Sequence, residues 1–230
     1  MVLRSIVYML MGVGLVAGVA CVSLQSNRSS NQPESSPTNQ PEVEATDTES
    51  PDSDQTQADT KVMTLNLGGT PTEVELRRFN QDPFPFQTYY PVKDFAPEIS
   101  SSGEGNSVRF YYSPAGAKNE QAYLHIFMPK QPANVEAMQD LLLGEQGLFI
   151  RNAWQLVDRT DIVSYFWAEE KLIYQEQAEA MAIGVIYIGQ NAGQAFYTIT
   201  HYPPEVRDAF EPRVNLVLES LQFEDEEQPE

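Results

Sequence analysis

The chain has 230 residues and a formal net charge of −19, from 14 Lys+Arg against 33 Asp+Glu. That balance leaves no basic face able to displace counterions, so nucleic acid is not an expected partner, and direct adsorption to an anionic lipid surface is disfavoured on the same ground. The single cysteine, Cys21, lies in the N-terminal apolar segment, so the rest of the chain can form neither an internal disulfide nor a thiolate metal site.

Residues 1–26 read as an export segment. Arg4 is followed by an uncharged stretch from Ser5 to Leu24, and the apolar run from Ile6 ends in the small residues Ala17-Gly18-Val19-Ala20 before Cys21. Three readings are open. Cys21 is a lipidation candidate if cleavage leaves it at a new N-terminus, although Gly18 stands where a lipoprotein signal usually has Leu. The same 20 residues are long enough to span a bilayer as an uncleaved anchor, with Arg4 on the cytoplasmic side. Ordinary cleavage after Ala20 would free the domain. Each reading delivers the rest of the chain across a membrane.

Residues 27–60 hold eight acids, one base and a single large aliphatic residue, Val43, among Ser, Thr, Gln, Asn and Pro. Such a segment buries too little apolar area to offset chain entropy, and the expectation is a disordered acidic linker. Residues 224–230 form an acidic tail that lacks the turn glycine and alternating oxygen ligands of a calcium loop.

The stretch 61–223 carries the folding information. Val62–Leu67 and Thr72–Phe79 alternate around Gly68-Gly69, which predicts a hairpin. Pro83, Pro85 and Pro91 punctuate an aromatic stretch and argue against a central strand there. Val108–Tyr112 and Ala122–Met128 are strands, with a turn at 101–106 before the first of them. Asn134 caps a helix in which Val135, Met138, Leu141 and Leu142 share a face. Strands are then expected at Trp154–Val157, Ser164–Tyr174, Met181–Ile188 and Gln194–Tyr202, the last pair joined by a tight turn at Gly189–Gly193. Pro203-Pro204 opens a C-terminal helix with Val206, Phe210, Val214, Val217 and Leu221 on one face, which Pro212 is expected to break or kink after about two turns. Strand runs with separate helices predict an α+β domain around a mainly antiparallel sheet.

The run Gly193-Gln194-Ala195-Phe196-Tyr197-Thr198-Ile199-Thr200-His201-Tyr202, with Pro204, Phe210, Pro212 and Leu218-Glu219-Ser220-Leu221-Gln222-Phe223, resembles the PsbP-like fold of photosystem II extrinsic proteins and their bacterial relatives. Phe86-Gln87-Thr88-Tyr89-Tyr90-Pro91 is similar to the early Tyr-Pro strand of that family. The chain departs from it over 62–79 and at Leu221, where Phe is common. The resemblance implies a central antiparallel sheet with helices on both faces, and non-enzymatic work in docking to, assembling or stabilising a membrane complex; the exported address fits that lineage, in a periplasm or, in a cyanobacterium, a thylakoid lumen.

No catalytic, cofactor or metal site is expected. His125 and His201 each sit inside an apolar strand without a third ligand at useful spacing, which favours partly buried structural histidines. Glu169 and Glu170 are neighbours on a strand and face opposite sides, so they cannot act as a pair on one substrate. No nucleophile–base arrangement is visible. The aromatic residues remain. An outward cluster drawn from Tyr89, Tyr90, Tyr111, Tyr112 and Trp167 would mark a docking face, whereas strands also use such residues for cores. The leading expectation is an interaction or assembly module tethered by its N-terminus to the membrane. The alternative is an extracytoplasmic small-ligand binder or a hydrolase, which would show a concave pocket with converging polar groups.

Overall fold

The computed structural model describes residues 59–176 and 182–224, all within one compact unit spanning 54–230. The export segment, Cys21, the linker up to residue 58, Met181 and the tail from residue 225 lie outside the described residues.

Eleven strands form two antiparallel sheets. In the smaller, β1 (Thr60–Leu67), β2 (Thr70–Phe79), β3 (Phe86–Pro91) and the short β11 (Gln222–Phe223) lie in that order. In the larger, the order is β4-β5-β6-β10-β9-β8-β7, from β4 (Phe95–Ser101), β5 (Gly105–Tyr112), β6 (Asn119–Pro129), β7 (Trp154–Thr160), β8 (Ala168–Glu176), β9 (Ile183–Asn191) and β10 (Gln194–Tyr202). Between β6 and β7 come helices α1 (Val135–Leu143) and α2 (Leu148–Arg151). After β10, a 3-10 turn at Pro204–Val206 leads into α3 (Arg207–Glu219). The architecture is the α+β one expected from the strand and helix pattern.

Alternation sends the two faces of the larger sheet to different partners. Val108, Phe110, Leu124, Ile126 and Phe196 point to one side, where they pack with Phe210, Val214 and Val217 of α3 and with Phe79, Phe86 and Tyr90 of the smaller sheet. Leu172, Tyr174, Ile186, Ile188 and Ile199 point to the other and meet Met138 and Leu142 of α1 and Phe149 of α2. Asn134 caps α1 as its sequence predicts, its side-chain oxygen accepting from the Ala137 amide at 2.9 Å. The β9–β10 loop is the two-residue turn Ala192-Gly193, with φ of 45° and 80°. Both central residues are left-handed, the geometry whose twist matches the flanking strands.

Three expectations are corrected, and one strand, the second below, has no assignment from the sequence. First, β3 is flanked on both sides, by β2 and β11. Pro85 precedes the strand and Pro91 closes it, so neither removes a ladder bond from its middle. Second, the segment before the turn at 101–106 is itself a strand, β4, at the edge of the larger sheet, where Pro97 is tolerated. Third, β8 begins only at Ala168. Residues 164–167 form a loop whose Trp167 turns inward, donating from Nε1 to the Leu218 carbonyl at 3.2 Å.

Fourth, α3 runs through Pro212 for 13 residues. Proline leaves the Asp208 carbonyl without its amide, yet Phe210, Val214, Val217 and Leu218 are buried around it. Packing of that face outweighs the local cost. Arg213 adds a side-chain bond, Nη1 to the Ala209 carbonyl at 2.6 Å, and its Nε lies 2.9 Å from Asp94 Oδ2. Replacing Pro212 with Ala restores the amide donor, at the expense of a freer unfolded chain, and is expected to raise unfolding free energy by about 1–2 kcal/mol in urea titration. A loss of stability would show that α3 needs the proline.

Candidate functional site

Three strands of the larger sheet build a polar face from register alone. On β5 and β6, Ser107 pairs with Phe127, Arg109 with His125, and Tyr111 with Tyr123. On β6 and β10, Phe127 pairs with Tyr197, His125 with Ile199, and Tyr123 with His201. Alternation puts all of these on the side of the sheet that carries α1 and α2. Strand β4 extends the same face with Glu98 opposite Arg109 and Ser100 opposite Ser107.

One half of this face is an internally satisfied chain. The Tyr174 hydroxyl lies 2.8 Å from His201 Nδ1, and His201 Nε2 lies 3.6 Å from Glu176 Oε1. Burial holds the Tyr174 phenol well above its ordinary pKa, so it donates and Nδ1 accepts. Burial also lowers the His201 pKa, against the pull of Glu176 and with help from Arg109. His201 is therefore neutral, with Nε2–H towards Glu176. Trp154 stacks on Tyr174 at 4.2 Å and its Nε1 reaches Glu176 at 3.4 Å. Gly184 leaves room for the ring, since a Cβ there would overlap Tyr174. Tyr174 is 0% exposed, so its hydroxyl meets His201 and not a substrate. The arrangement orients and fills: Tyr174 and His201 are buried, and Glu176 is held by both His201 and Trp154.

The other half is open. Glu98, Ser107, Arg109, Tyr111, His125 and Tyr197 are among the residues around a concavity of roughly 400 Å³. Arg109 lies over the Tyr123 ring at 4.6 Å and donates from Nη1 to the Tyr111 hydroxyl at 3.0 Å. Its Nε is buried and, among the described residues, meets no acceptor. Burial, and then the nearby guanidinium, lower the His125 pKa to about 3. Burial raises the Tyr197 pKa as well. The floor thus holds a neutral imidazole and the neutral Tyr197 phenol beside the Arg109 guanidinium, with the Lys118 ammonium over the Tyr111 ring at 4.4 Å.

The residues singled out from sequence fall in several places. His125 and His201 share the polar face at diagonal positions, and among the described residues no group of three His, Cys, Asp or Glu could hold a metal ion. Glu169 is exposed, whereas Glu170 is buried and bonds Arg159 and Gln139 Nε2, the latter at 2.9 Å. Tyr89, Tyr90, Tyr112 and Trp167 are buried in the core. Tyr89 packs with Val74, Leu76 and Leu216, while Tyr90 faces Phe110 on the opposite side of β3. Of the five interface candidates only Tyr111 is partly exposed. Two large apolar residues of the β7–β8 loop are strongly exposed: Phe166 at 80%, one of the aromatic residues that the sequence offers for a docking face, and Ile162 at 84%, which carries no such signal.

No family model matches the chain, and no curated protein does. Among solved structures, the chain is similar to cyanobacterial PsbP (CyanoP) from Synechocystis sp. PCC 6803. That likeness has a TM-score of 0.44 and 13% identity, over 64% of this chain and 92% of that one. It is also similar to a protein from Bacteroides thetaiotaomicron VPI-5482, with a TM-score of 0.39 and 18% identity, over 66% of this chain and 49% of the other. The likeness is of fold alone. No helix among the described residues is long and apolar enough to cross a membrane.

Proposed function

We propose that the protein is a non-enzymatic extracytoplasmic module, tethered to a membrane by residues 1–26, that docks on a membrane complex to assemble or stabilise it. The observation that supports this reading is the β7–β8 loop. Ile162 and Phe166 are both at least 80% exposed, four residues apart. The adjoining edge strand β7 adds Leu156 and Val157, both exposed. Single exposed apolar residues are ordinary, but two large ones in the seven-residue loop 161–167 suit a protein partner that covers them. The satisfied Glu176–His201–Tyr174 chain and the opposed Glu169 and Glu170 fit a structural role for those polar groups better than a catalytic one.

A photo-crosslinking residue at position 166 or 162 in living cells is expected to trap an integral membrane protein. The same probe at Glu120, on the exposed end of β6, is the control. Adducts no more abundant at 166 and 162 than at 120 would remove the docking role.

A further inference from the structure

We propose that the open half of the polar face is a binding site for a small organic monocarboxylate, with the Arg109 guanidinium as its anchor. This goes beyond docking and stands independently of it. Among the described residues, no carboxylate lies within ion-pair distance of Arg109. Its cross-strand neighbour Glu98 is taken by Lys118 at 2.9 Å. A half-buried arginine is ordinarily paired, because a desolvated charge without a counter-ion is costly. Here the guanidinium makes one bond, to Tyr111, and its Nε has no acceptor. Five donors in a planar fork match a carboxylate in size and geometry.

The surroundings select the ligand's charge and body. His125 stays neutral and adds no cation, and the Lys118 ammonium over the Tyr111 ring is balanced by Glu98 at the rim, which leaves the Arg109 charge. One negative charge balances the site, and a phosphate dianion would leave an excess. Phe127, stacked on Tyr197 at 4.9 Å, and the Tyr111 ring give an apolar wall for a carbon skeleton. The Tyr197 hydroxyl, held protonated by burial, is available as a further donor. A volume of roughly 400 Å³ falls within the size of small-molecule sites.

Benzoate is the probe, titrated into the full-length chain in detergent by calorimetry, with the His125 and Tyr197 ring resonances followed by NMR. Saturable one-site binding is expected, with shifts confined to this face. Benzamide, which has the same shape without the charge, is expected not to bind. Arg109→Gln is expected to weaken benzoate at least about tenfold, the scale of a lost charge-assisted hydrogen bond. Ser107→Trp keeps the arginine but fills the concavity, and it should abolish binding even if Arg109→Gln fails to fold. Non-saturating benzoate, equal affinity in Ser107→Trp, or displacement by equimolar inorganic phosphate would overturn the proposal. So would far tighter binding of a short peptide through its free C-terminal carboxylate, since that makes the ligand a protein terminus. Crosslinking from position 166 should be unchanged in Ser107→Trp, so the two roles fail separately.

Discussion

Phe210→Ala is expected to lower the unfolding free energy by about 3–5 kcal/mol, the cost of removing a buried phenyl ring and leaving a cavity. Phe210 is 0% exposed and sits where three elements meet. Its ring lies 5.9 Å from Phe95 on β4, 5.5 Å from Tyr112 on β5 and 5.3 Å from Tyr202 on β10. It is the residue through which α3 grips the larger sheet, two positions before the proline that weakens the helix locally. Domains of this size are stable by only about 5–15 kcal/mol, so the variant should lose a large share of its stability. Phe210→Leu keeps most of the volume and should cost less than half as much. Urea titration with constant slope checks both. A loss below about 1 kcal/mol for Phe210→Ala, smaller than typical core truncations, would mean that α3 does not rest on the sheet as described.

Much of the fold was readable because alternation survives where one face is dry and the other wet. Val108–Tyr112 and Ala122–Ile126 appear as strands for that reason, whereas Gln194–Tyr202, buried on both faces, appears as one through its aromatic and β-branched residues, and Gly193 with Ala192 marks the turn between β9 and β10. Reading failed where tertiary context outvoted local pattern. Phe95-Ala96-Pro97-Glu98-Ile99-Ser100-Ser101 gives no strand signal because an edge strand can be exposed, short of apolar residues and interrupted by proline. Tyr165-Phe166-Trp167 looks like a strand because it is aromatic, yet only Trp167 finds an interior place, against the carbonyl of Leu218. Tyr89 and Tyr90 are both buried although they point to opposite faces, because β3 has packed material on each side. No local rule gives that.

The polar face was hidden for a different reason. Arg109, His125 and Tyr197 are distant in sequence and become neighbours only through the registers β5–β6 and β6–β10. A shift of one residue in either pairing would turn one strand's contribution to the other side. Each histidine alone reads as a core residue in an apolar strand, which describes its burial correctly. What the sequence withholds is the guanidinium beside them that lacks a carboxylate, since Glu98 stands directly opposite Arg109 and would be its natural partner. Lys118 removes that partner from a loop nine residues further on.

Burial of His125 has a measurable consequence in acid. Arg109 on β5 and Ile199 on β10 flank it in register, with the Tyr197 ring edge-on at 5.9 Å. Burial, reinforced by Arg109, lowers its pKa to about 3 from an ordinary 6.5. Between those values the unfolded chain binds a proton that the folded one refuses, so falling pH favours unfolding. Stability is fully present above about pH 6.5 and is lost progressively towards pH 3. Between pH 7.5 and 5.0 the loss from this residue alone is about 2 kcal/mol, at about 1.4 kcal/mol per pH unit once below the unfolded pKa. His125→Gln fits the same strand position and does not titrate. Its own pH profile still contains His201 and the carboxylates, so the difference between the two profiles isolates His125. That difference should shift by about 2 kcal/mol in favour of the variant as pH falls from 7.5 to 5.0. Parallel profiles in urea titrations at the two pH values would mean that the imidazole is protonated in the folded state, and the neutral floor of the carboxylate site would go with it.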